Sequence, residues 1–205
     1  MSYDYDIAYK LLQKDPVMKQ IIKVTGRLNP ERRQRDIYGS LLRSVTGQQL
    51  SVKAATTIHN RFLDLFPERN PEPSKVLKLS IEKLRSVGLS GQKSSYVISV
   101  AEHAIRGELE FKNIIKLDDD QLIKQLTAIK GIGVWSAQMV MMFALQRPDV
   151  FPVGDLGIQI SMKSQYNIKA EGKALHKKME QIAEAWQPYR TLASRHLWAD
   201  RDGGK

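Results

Sequence analysis

The sequence has no cysteine among its 205 residues, and it has no long apolar run. The absence of cysteine excludes disulfides, thiolate zinc sites, iron–sulfur clusters and cysteine nucleophiles. No apolar run approaches the roughly 20 residues that a membrane-spanning helix requires. The acidic N-terminus also lacks the basic and then apolar layout of a secretory signal. We therefore expect a protein without a membrane span that works inside the cell.

Patterns for metal and nucleotide binding are missing as well. The four histidines are scattered and show no metal-ligand spacing. The chain has no Ser-His-Asp order, no Walker loop and no dinucleotide fingerprint. The sequence therefore predicts no metal held by side chains and no bound cofactor.

Positive charge is present in excess. Lys and Arg number 32 against 22 Asp and Glu, which gives a formal net charge of +10. An anionic partner is favoured by this charge, and nucleic acid is the commonest such partner. A solvated basic surface without a partner would look the same, so the charge has meaning only together with a motif.

Apolar residues recur at helical spacing along almost the whole chain, which predicts an all-α fold. Asp15 followed by Pro16 predicts a helix start, and Ser51 and Ser80 are further candidate caps. The acidic run 118–120 suits the N-terminus of the next helix, where negative charge is favourable.

Two proline-containing segments near the C-terminus carry further expectations. Only Val150, Phe151 and Val153 look extended. Pro188 is expected to be the first-turn proline of the closing helix, which continues through Leu192 and beyond.

The strongest local motif is the stretch LTAIKGIGVWSAQMVMMFAL, residues 126–145. It has two apolar helical stripes separated by a Gly-x-Gly turn, Gly131, Ile132 and Gly133. The glycines allow close approach to a surface, and the free N–H groups that open the second helix suit a phosphate. An ordinary helix corner with Ile132 in the core would have the same spacing. The spacing alone leaves both interpretations open.

Three further blocks accompany this turn in a fixed order: TGQQLSVKAA at 46–55, FPVGDLGIQ at 151–159 and WQPYRTLASRHLW at 186–198. Together they resemble the helix-hairpin-helix superfamily of DNA glycosylases, and most of all its 3-methyladenine DNA glycosylase II branch. The resemblance covers roughly residues 30–200. It implies a two-lobed, all-α fold with the active site in the cleft between the lobes. Lobe one would be about 1–34 plus 141–205, and lobe two about 35–140, with the helix-hairpin-helix near 119–145.

The resemblance assigns the catalytic carboxylate to Asp155, which lies 22 residues beyond Gly133. Cleavage of a glycosidic bond builds positive charge on the sugar, and a carboxylate stabilises that charge. Asp155 is also placed to cap the helix that begins at Leu156, and the two roles are compatible.

A base inside a duplex must be flipped into a pocket before it can be cleaved. The resemblance places Trp135 and Trp198 in that pocket, with Met139 at its border. Electron-rich rings would favour a cationic alkylated base. Core packing is the alternative for Trp135.

The resemblance also implies a set of residues that contact DNA. They come from the hairpin, from the loop at residues 88–93 and from the TGQQLS block, and helix capping around Ser51 is the alternative for the last. Branch members carry an apolar wedge where this chain has Gly91, which leaves Leu89 and Gln92 as substitutes. A monovalent cation at the hairpin carbonyls is compatible with the resemblance. The expected DNA contacts are Lys130, Gly131, Ile132, Gly133, Gln48, Gln49, Leu89, Gly91, Gln92 and Lys93.

The expected function is hydrolysis of the N-glycosidic bond of an alkylated purine in double-stranded DNA by a monomeric enzyme. Family members that also cut the strand place a lysine two residues after the second hairpin glycine. Trp135 stands there, so the enzyme is expected to be monofunctional. Two alternatives remain open, a non-catalytic DNA-binding module and a glycosylase of the same fold for another damaged base.

Overall fold

The computed structural model describes residues 4–28 and 36–203, and this part of the chain contains no β-strand. The prediction of an all-α fold is confirmed. Two 3-10 turns, Pro67–Arg69 and Glu184–Trp186, and one π-helical segment, Val140–Ala144, join the α-helices. In chain order the α-helices are α1 Tyr5–Leu12, α2 Pro16–Thr25, α3 Ile37–Gly47, α4 Val52–Leu63, α5 Pro73–Val76, α6 Ile81–Ser86, α7 Gly91–Ile105, α8 Phe111–Ile114, α9 Asp119–Thr127, α10 Val134–Met139, α11 Leu156–Gln165, α12 Gly172–Ala183 and α13 Arg190–Arg201.

The helix caps expected from the sequence are confirmed. The Asp15 carboxylate accepts hydrogen bonds from the first-turn N–H groups of α2. Ser51 and Ser80 cap α4 and α6 through their hydroxyls. Asp118 and Gln121 form a reciprocal capping box at α9, with distances of 2.8 and 3.1 Å. Each cap satisfies donors that a helix start leaves without an intrahelical partner.

Two expectations near the C-terminus are wrong. Pro188 is not in the first turn of the closing helix, because α13 begins at Arg190 and Tyr189 has non-helical backbone angles. The 150–153 segment is irregular and pairs with no described strand. The Val150 N–H donates instead to the Thr191 hydroxyl of α13 at 3.0 Å, so a side chain and not a neighbouring strand accepts this backbone hydrogen bond.

The first compact unit consists of Met1–Arg33 and Met141–Lys205. Its core surrounds the fully buried Trp186 and contains residues from α1, α2, α11, α12 and α13. Asp15 connects the cap of α2 to this core, because its second carboxylate oxygen accepts from the Tyr166 hydroxyl at 2.7 Å and from Trp186 Nε1 at 2.9 Å. The unit therefore joins an N-terminal helix pair to the C-terminal helices.

The second compact unit is Gln34–Val140. Helix α3 packs against α4 and α7, while α5 and α6 lie on α7. Fully buried Leu41, Phe62, Leu84 and Val97 belong to its core. Helices α9 and α10 pack against each other and are joined by the glycine turn, so this unit carries the hairpin.

Candidate functional site

The Asp155 carboxylate is held in place by two hydrogen bonds to the same oxygen. Its Oδ1 accepts from the Ile158 N–H at 2.9 Å and from Trp198 Nε1 at 2.8 Å. Asp155 is thus the N-cap of α11, as expected. The indole of α13 adds a second, charge-assisted restraint that the capping role does not need. The arrangement can present a fixed negative charge.

Trp198 has its own support. Its ring stacks on Phe143, with 6.0 Å between centroids and 25° between planes. The residue is half-buried on α13. Resemblance predicted an aromatic face at this position, and the structure adds a hydrogen-bond donor aimed at Asp155.

Arg201 also belongs to this cluster, and no sequence motif indicated it. A side chain at Gly157, in the first turn of α11, would collide with Arg201 Nη1 and would lie 3.1 Å from both Asp155 Oδ1 and Trp198 Cδ1. The absence of a Cβ at Gly157 therefore lets the guanidinium group lie beside the carboxylate. Neighbouring Asp202 accepts from Arg201 Nε at 2.7 Å.

The segment that leads to Asp155 is tied to the start of α13. Arg190 makes a bidentate ion pair with Asp149, with Nε–Oδ1 and Nη2–Oδ2 distances of 2.7 and 2.9 Å. The buried Thr191 hydroxyl donates to the Arg147 carbonyl at 2.7 Å and accepts from Val150. Because Trp198 lies further along the same helix, α13 holds both the segment before Asp155 and the indole that contacts it.

The hairpin of the second unit is built on close backbone contacts. Gly131 has a φ of +89°, and a Cβ there would collide with the Tyr96 ring. Ile132 is buried, as the helix-corner interpretation expected. The Lys130 N–H donates to Ser99 Oγ at 3.3 Å. Gly133 is exposed with no atom near its missing Cβ, so the outer face of the turn is open.

Gln48 supports the hairpin directly. Its Nε2 donates to the Gly131 carbonyl at 2.8 Å. The amide thus occupies one of the two acceptor positions of that carbonyl. The described residues also contain no group of three or more acidic or histidine side chains that could hold a metal ion.

Gln49, next to Gln48, is exposed and has a φ of +57°, which is unusual for a residue with a side chain. The turn after α3 is further held by Lys93, whose Nζ donates to the Thr46 carbonyl at 3.1 Å. Burial lowers the pKa of this lysine. The charge of Lys93 is therefore committed to the turn, whereas Lys130 is exposed.

The expected wedge residues differ in exposure. Leu89 is only 3% exposed and contributes to the core of its unit, so its side chain cannot enter DNA without leaving that core. Gly91, the first residue of α7, has open space around it. Gln92 is exposed, and its Nε2 donates to the Tyr96 hydroxyl at 2.6 Å. Of the two substitutes for an apolar wedge, only Gln92 is accessible.

The expected pocket residues on α10 also differ. Trp135 is 47% exposed, which argues against the core-packing alternative. Met139 is half-buried at the end of the helix, while Met141 and Met142 in the following π-helical segment are buried. The second helix of the hairpin is thus a short α-helix that continues with wider turns.

A helix–glycine turn–helix in one unit and a capped aspartate in the other define a helix-hairpin-helix protein. Residues 42–188 match the family model described as HhH-GPD superfamily base excision DNA repair protein. The chain therefore belongs to the HhH-GPD superfamily of base excision DNA repair proteins, and the resemblance drawn from the sequence is confirmed.

Two relatives and one solved structure show the relationship in detail. DNA-3-methyladenine glycosylase 1 of Schizosaccharomyces pombe is 34% identical over 188 residues, which cover 90% of this chain and 82% of that protein. A putative DNA-3-methyladenine glycosylase of Bacillus subtilis is 30% identical over 79% of this chain, but the match spans only 58% of that protein. The solved structure of an S. pombe 3-methyladenine DNA glycosylase in complex with abasic DNA has a TM-score of 0.84, with 30% identity, over 95% of this chain and 96% of that one.

No described helix has the length and apolar character needed to cross a membrane.

Proposed function

We propose that this protein is a monofunctional DNA glycosylase that hydrolyses the N-glycosidic bond of alkylated purines of the 3-methyladenine type in double-stranded DNA. The observation that carries the proposal is the carboxylate of Asp155, fixed by the Ile158 N–H and the Trp198 indole. The names of the relatives supply the substrate class. We expect the enzyme to act as a monomer and inside the cell, where its substrate is.

In the proposed reaction the C1′–N bond of the damaged nucleotide breaks, and its electron pair leaves with the base. An alkylated purine already carries positive charge, so it leaves as a neutral molecule without prior protonation. The sugar becomes a cation that resembles an oxocarbenium ion, and the Asp155 carboxylate stabilises it. Water then adds at C1′, and Asp155 orients that water and takes up its proton.

Some of the remaining predicted residues would bind the DNA. Gln92 would fill the gap left by the flipped nucleotide, a role that its exposure favours over buried Leu89. Trp135, Trp198 and Met139 would line the base pocket, where stacking favours a cationic base.

The open face of the hairpin at Gly131–Gly133, together with Lys130, would hold a phosphate through backbone N–H groups. In this proposal Gln48 supports the turn and Lys93 supports the segment after α3, and neither needs to touch DNA.

Asp155→Asn tests the proposal, because asparagine keeps the helix cap but removes the charge. We expect single-turnover release of 3-methyladenine to fall by about 10³-fold or more, as for the loss of a charge that stabilises the transition state. Affinity for a duplex with an abasic-site analogue should stay within a few-fold of wild type. Release at near wild-type rate would overturn the assignment.

Asp4→Asn is the matched control. Asp4 caps α1 through the same kind of carboxylate hydrogen bonds, and the substitution removes the same charge from the same unit. Its rate of base release should equal that of wild type.

A further inference from the structure

The cluster around Asp155 contains a cation that the proposed reaction has not used. Arg201 Nη1 and Asp155 Oδ1 both lie next to the point where a Cβ of Gly157 would be. The Arg201 side chain is 41% exposed, so a ligand can reach it. Its Nε and Nη2 donate to Asp202 at 2.7 and 2.5 Å, whereas Nη1 has no hydrogen-bond partner in the described part of the chain.

This arrangement limits what Arg201 can do. A bare cation beside Asp155 would oppose the positive charge that develops on the sugar, but the Asp202 carboxylate compensates most of that effect. Asp202 also fixes the plane of the guanidinium, because two of its nitrogens donate to the same carboxylate. The third nitrogen, Nη1, points to the space next to Gly157 in the first turn of α11.

We propose that Arg201 binds a phosphate attached to the sugar of the nucleotide whose base is removed. The proposal rests on the assignment of Asp155 as the catalytic carboxylate, because Asp155 then places that sugar next to Arg201. A phosphate oxygen is the acceptor that a fixed guanidinium favours in DNA. Arg201 would thus hold the backbone of the flipped nucleotide on the unit that carries Asp155.

The test measures binding to a duplex with an abasic-site analogue, so that no base release is needed. Arg201→Gln should reduce affinity by about tenfold, the loss expected for a hydrogen bond between charged groups. In wild type, a neutral methylphosphonate at one of the two phosphates that flank the abasic site should cause a similar loss. In Arg201→Gln the same methylphosphonate should cause little further loss, because the two changes remove one contact.

Arg106→Gln is the matched control. Arg106 is exposed to a similar extent and is paired with Glu108, an acid two residues away, as Arg201 is paired with the next residue, Asp202. The Arg106→Gln variant loses the same net charge, but its affinity for the duplex should remain fully sensitive to the methylphosphonate. Arg201→Lys keeps the charge without the fixed planar group, and we expect an intermediate affinity.

Wild-type affinity of Arg201→Gln, or losses that multiply with methylphosphonate at both flanking phosphates, would overturn the proposal. Thermal unfolding of the variants shows whether a loss of affinity comes from misfolding. If Arg201→Gln is misfolded, the same methylphosphonate comparison is made with Arg201→Lys. Failure of the proposed function has a different signature, since Asp155→Asn would then release bases at the wild-type rate without altering these affinities.

Discussion

The two compact units hold their candidate functional groups by different means. Around Asp155 the contacts are between side chains, with the Trp198 indole and the Arg201 guanidinium both next to the carboxylate. Around the hairpin they involve the backbone, since the Gly131 carbonyl accepts from Gln48 and its Cα lies against Tyr96. The first unit should therefore be sensitive to the loss of a polar atom, and the second to the addition of a carbon.

The difference matches the two tasks in the proposed function. Stabilising a developing charge requires a carboxylate at a fixed position, which neighbouring donors provide. Holding a phosphate without reading the base requires backbone N–H groups and close approach, which glycine provides. Substitutions in the first unit should change rate, and substitutions in the second should change affinity.

After Asp155→Asn, the largest effect is expected for Trp198→Phe, which keeps an aromatic ring against Phe143 but removes the N–H that binds Asp155. A hydrogen bond to a charged group contributes about 1.5–3 kcal/mol, so single-turnover base release should fall roughly 10- to 150-fold. Affinity for the abasic duplex should change little. The measurement is the release rate with enzyme in excess over a duplex with one 3-methyladenine.

Trp186→Phe provides the control for this variant. Its indole also donates to a carboxylate, that of Asp15, at 2.9 Å, but in the fully buried core. We expect it to lower the melting temperature more than Trp198→Phe and to leave the release rate unchanged. If both variants lose rate equally, the indole at position 198 acts only through stability.

A smaller effect is expected in the hairpin unit, where two glycines should respond differently. Gly131→Ala places a side chain at φ +89° against the Tyr96 ring, so it should lower the free energy of unfolding by about 1–3 kcal/mol. Gly133 has ordinary angles and open space, so Gly133→Leu should keep stability. It should instead weaken binding several-fold and equally for all DNA sequences. Thermal unfolding and binding to duplexes of different sequence check both.

The sequence could predict those features of the fold that depend on residues close together along the chain. The caps at Asp15, Ser51, Ser80 and Asp118 were predictable because a cap depends on residues only two or three positions away. The start of α13 was not, because its boundary depends on contacts of Thr191 with a segment distant in the sequence.

Site residues follow the same rule. Asp155 lies in a recognisable local block, so resemblance indicated it. Arg201 packs against Gly157 of α11 and Tyr96 packs against Gly131 of the hairpin turn, and no local sequence pattern indicates either contact. The burial of Leu89 is likewise a property of the folded unit.

Each unit also contains a buried neutral histidine, and acid should destabilise both by a similar amount. Burial lowers the pKa of His59 in one unit and of His196 in the other to about 4. The unfolded chain takes up protons near pH 6.5, before the folded state does, so stability falls as the pH drops from about 6.5 to 4. Between pH 7 and 5 we expect a loss of about 2 kcal/mol for each histidine. Urea unfolding at both pH values measures it.

Glutamine at either position should reduce this loss by about half, and the double variant should remove most of it. The contacts of the two histidines differ, since His59 contacts the Thr46 hydroxyl whereas His196 contacts the hydroxyls of Thr25 and Tyr9. Equal losses in wild type and the double variant would mean that other groups control the acid sensitivity.

The last prediction is that the enzyme does not cleave the DNA strand. Strand scission by a glycosylase requires an amine that attacks the sugar and forms a Schiff base. The indole of Trp135 cannot form that adduct. Lys130 precedes the turn, and its exposed side chain suits a phosphate. Lys93 is the stronger candidate for such an amine, because burial lowers its pKa and a lower pKa favours a nucleophilic amine. Its Nζ, however, donates a hydrogen bond to the Thr46 carbonyl.

We therefore expect no covalent protein–DNA adduct when the enzyme is mixed with lesion-containing duplex and borohydride, under conditions where a known bifunctional glycosylase is trapped. Base release should proceed normally in the same mixture, which excludes an inactive preparation. An adduct in comparable yield would contradict a monofunctional enzyme. Its loss in Lys93→Gln but not in Lys130→Gln would identify the partly buried amine of Lys93 as the nucleophile, and a chemical step would then belong to the unit that only binds DNA in the proposed function.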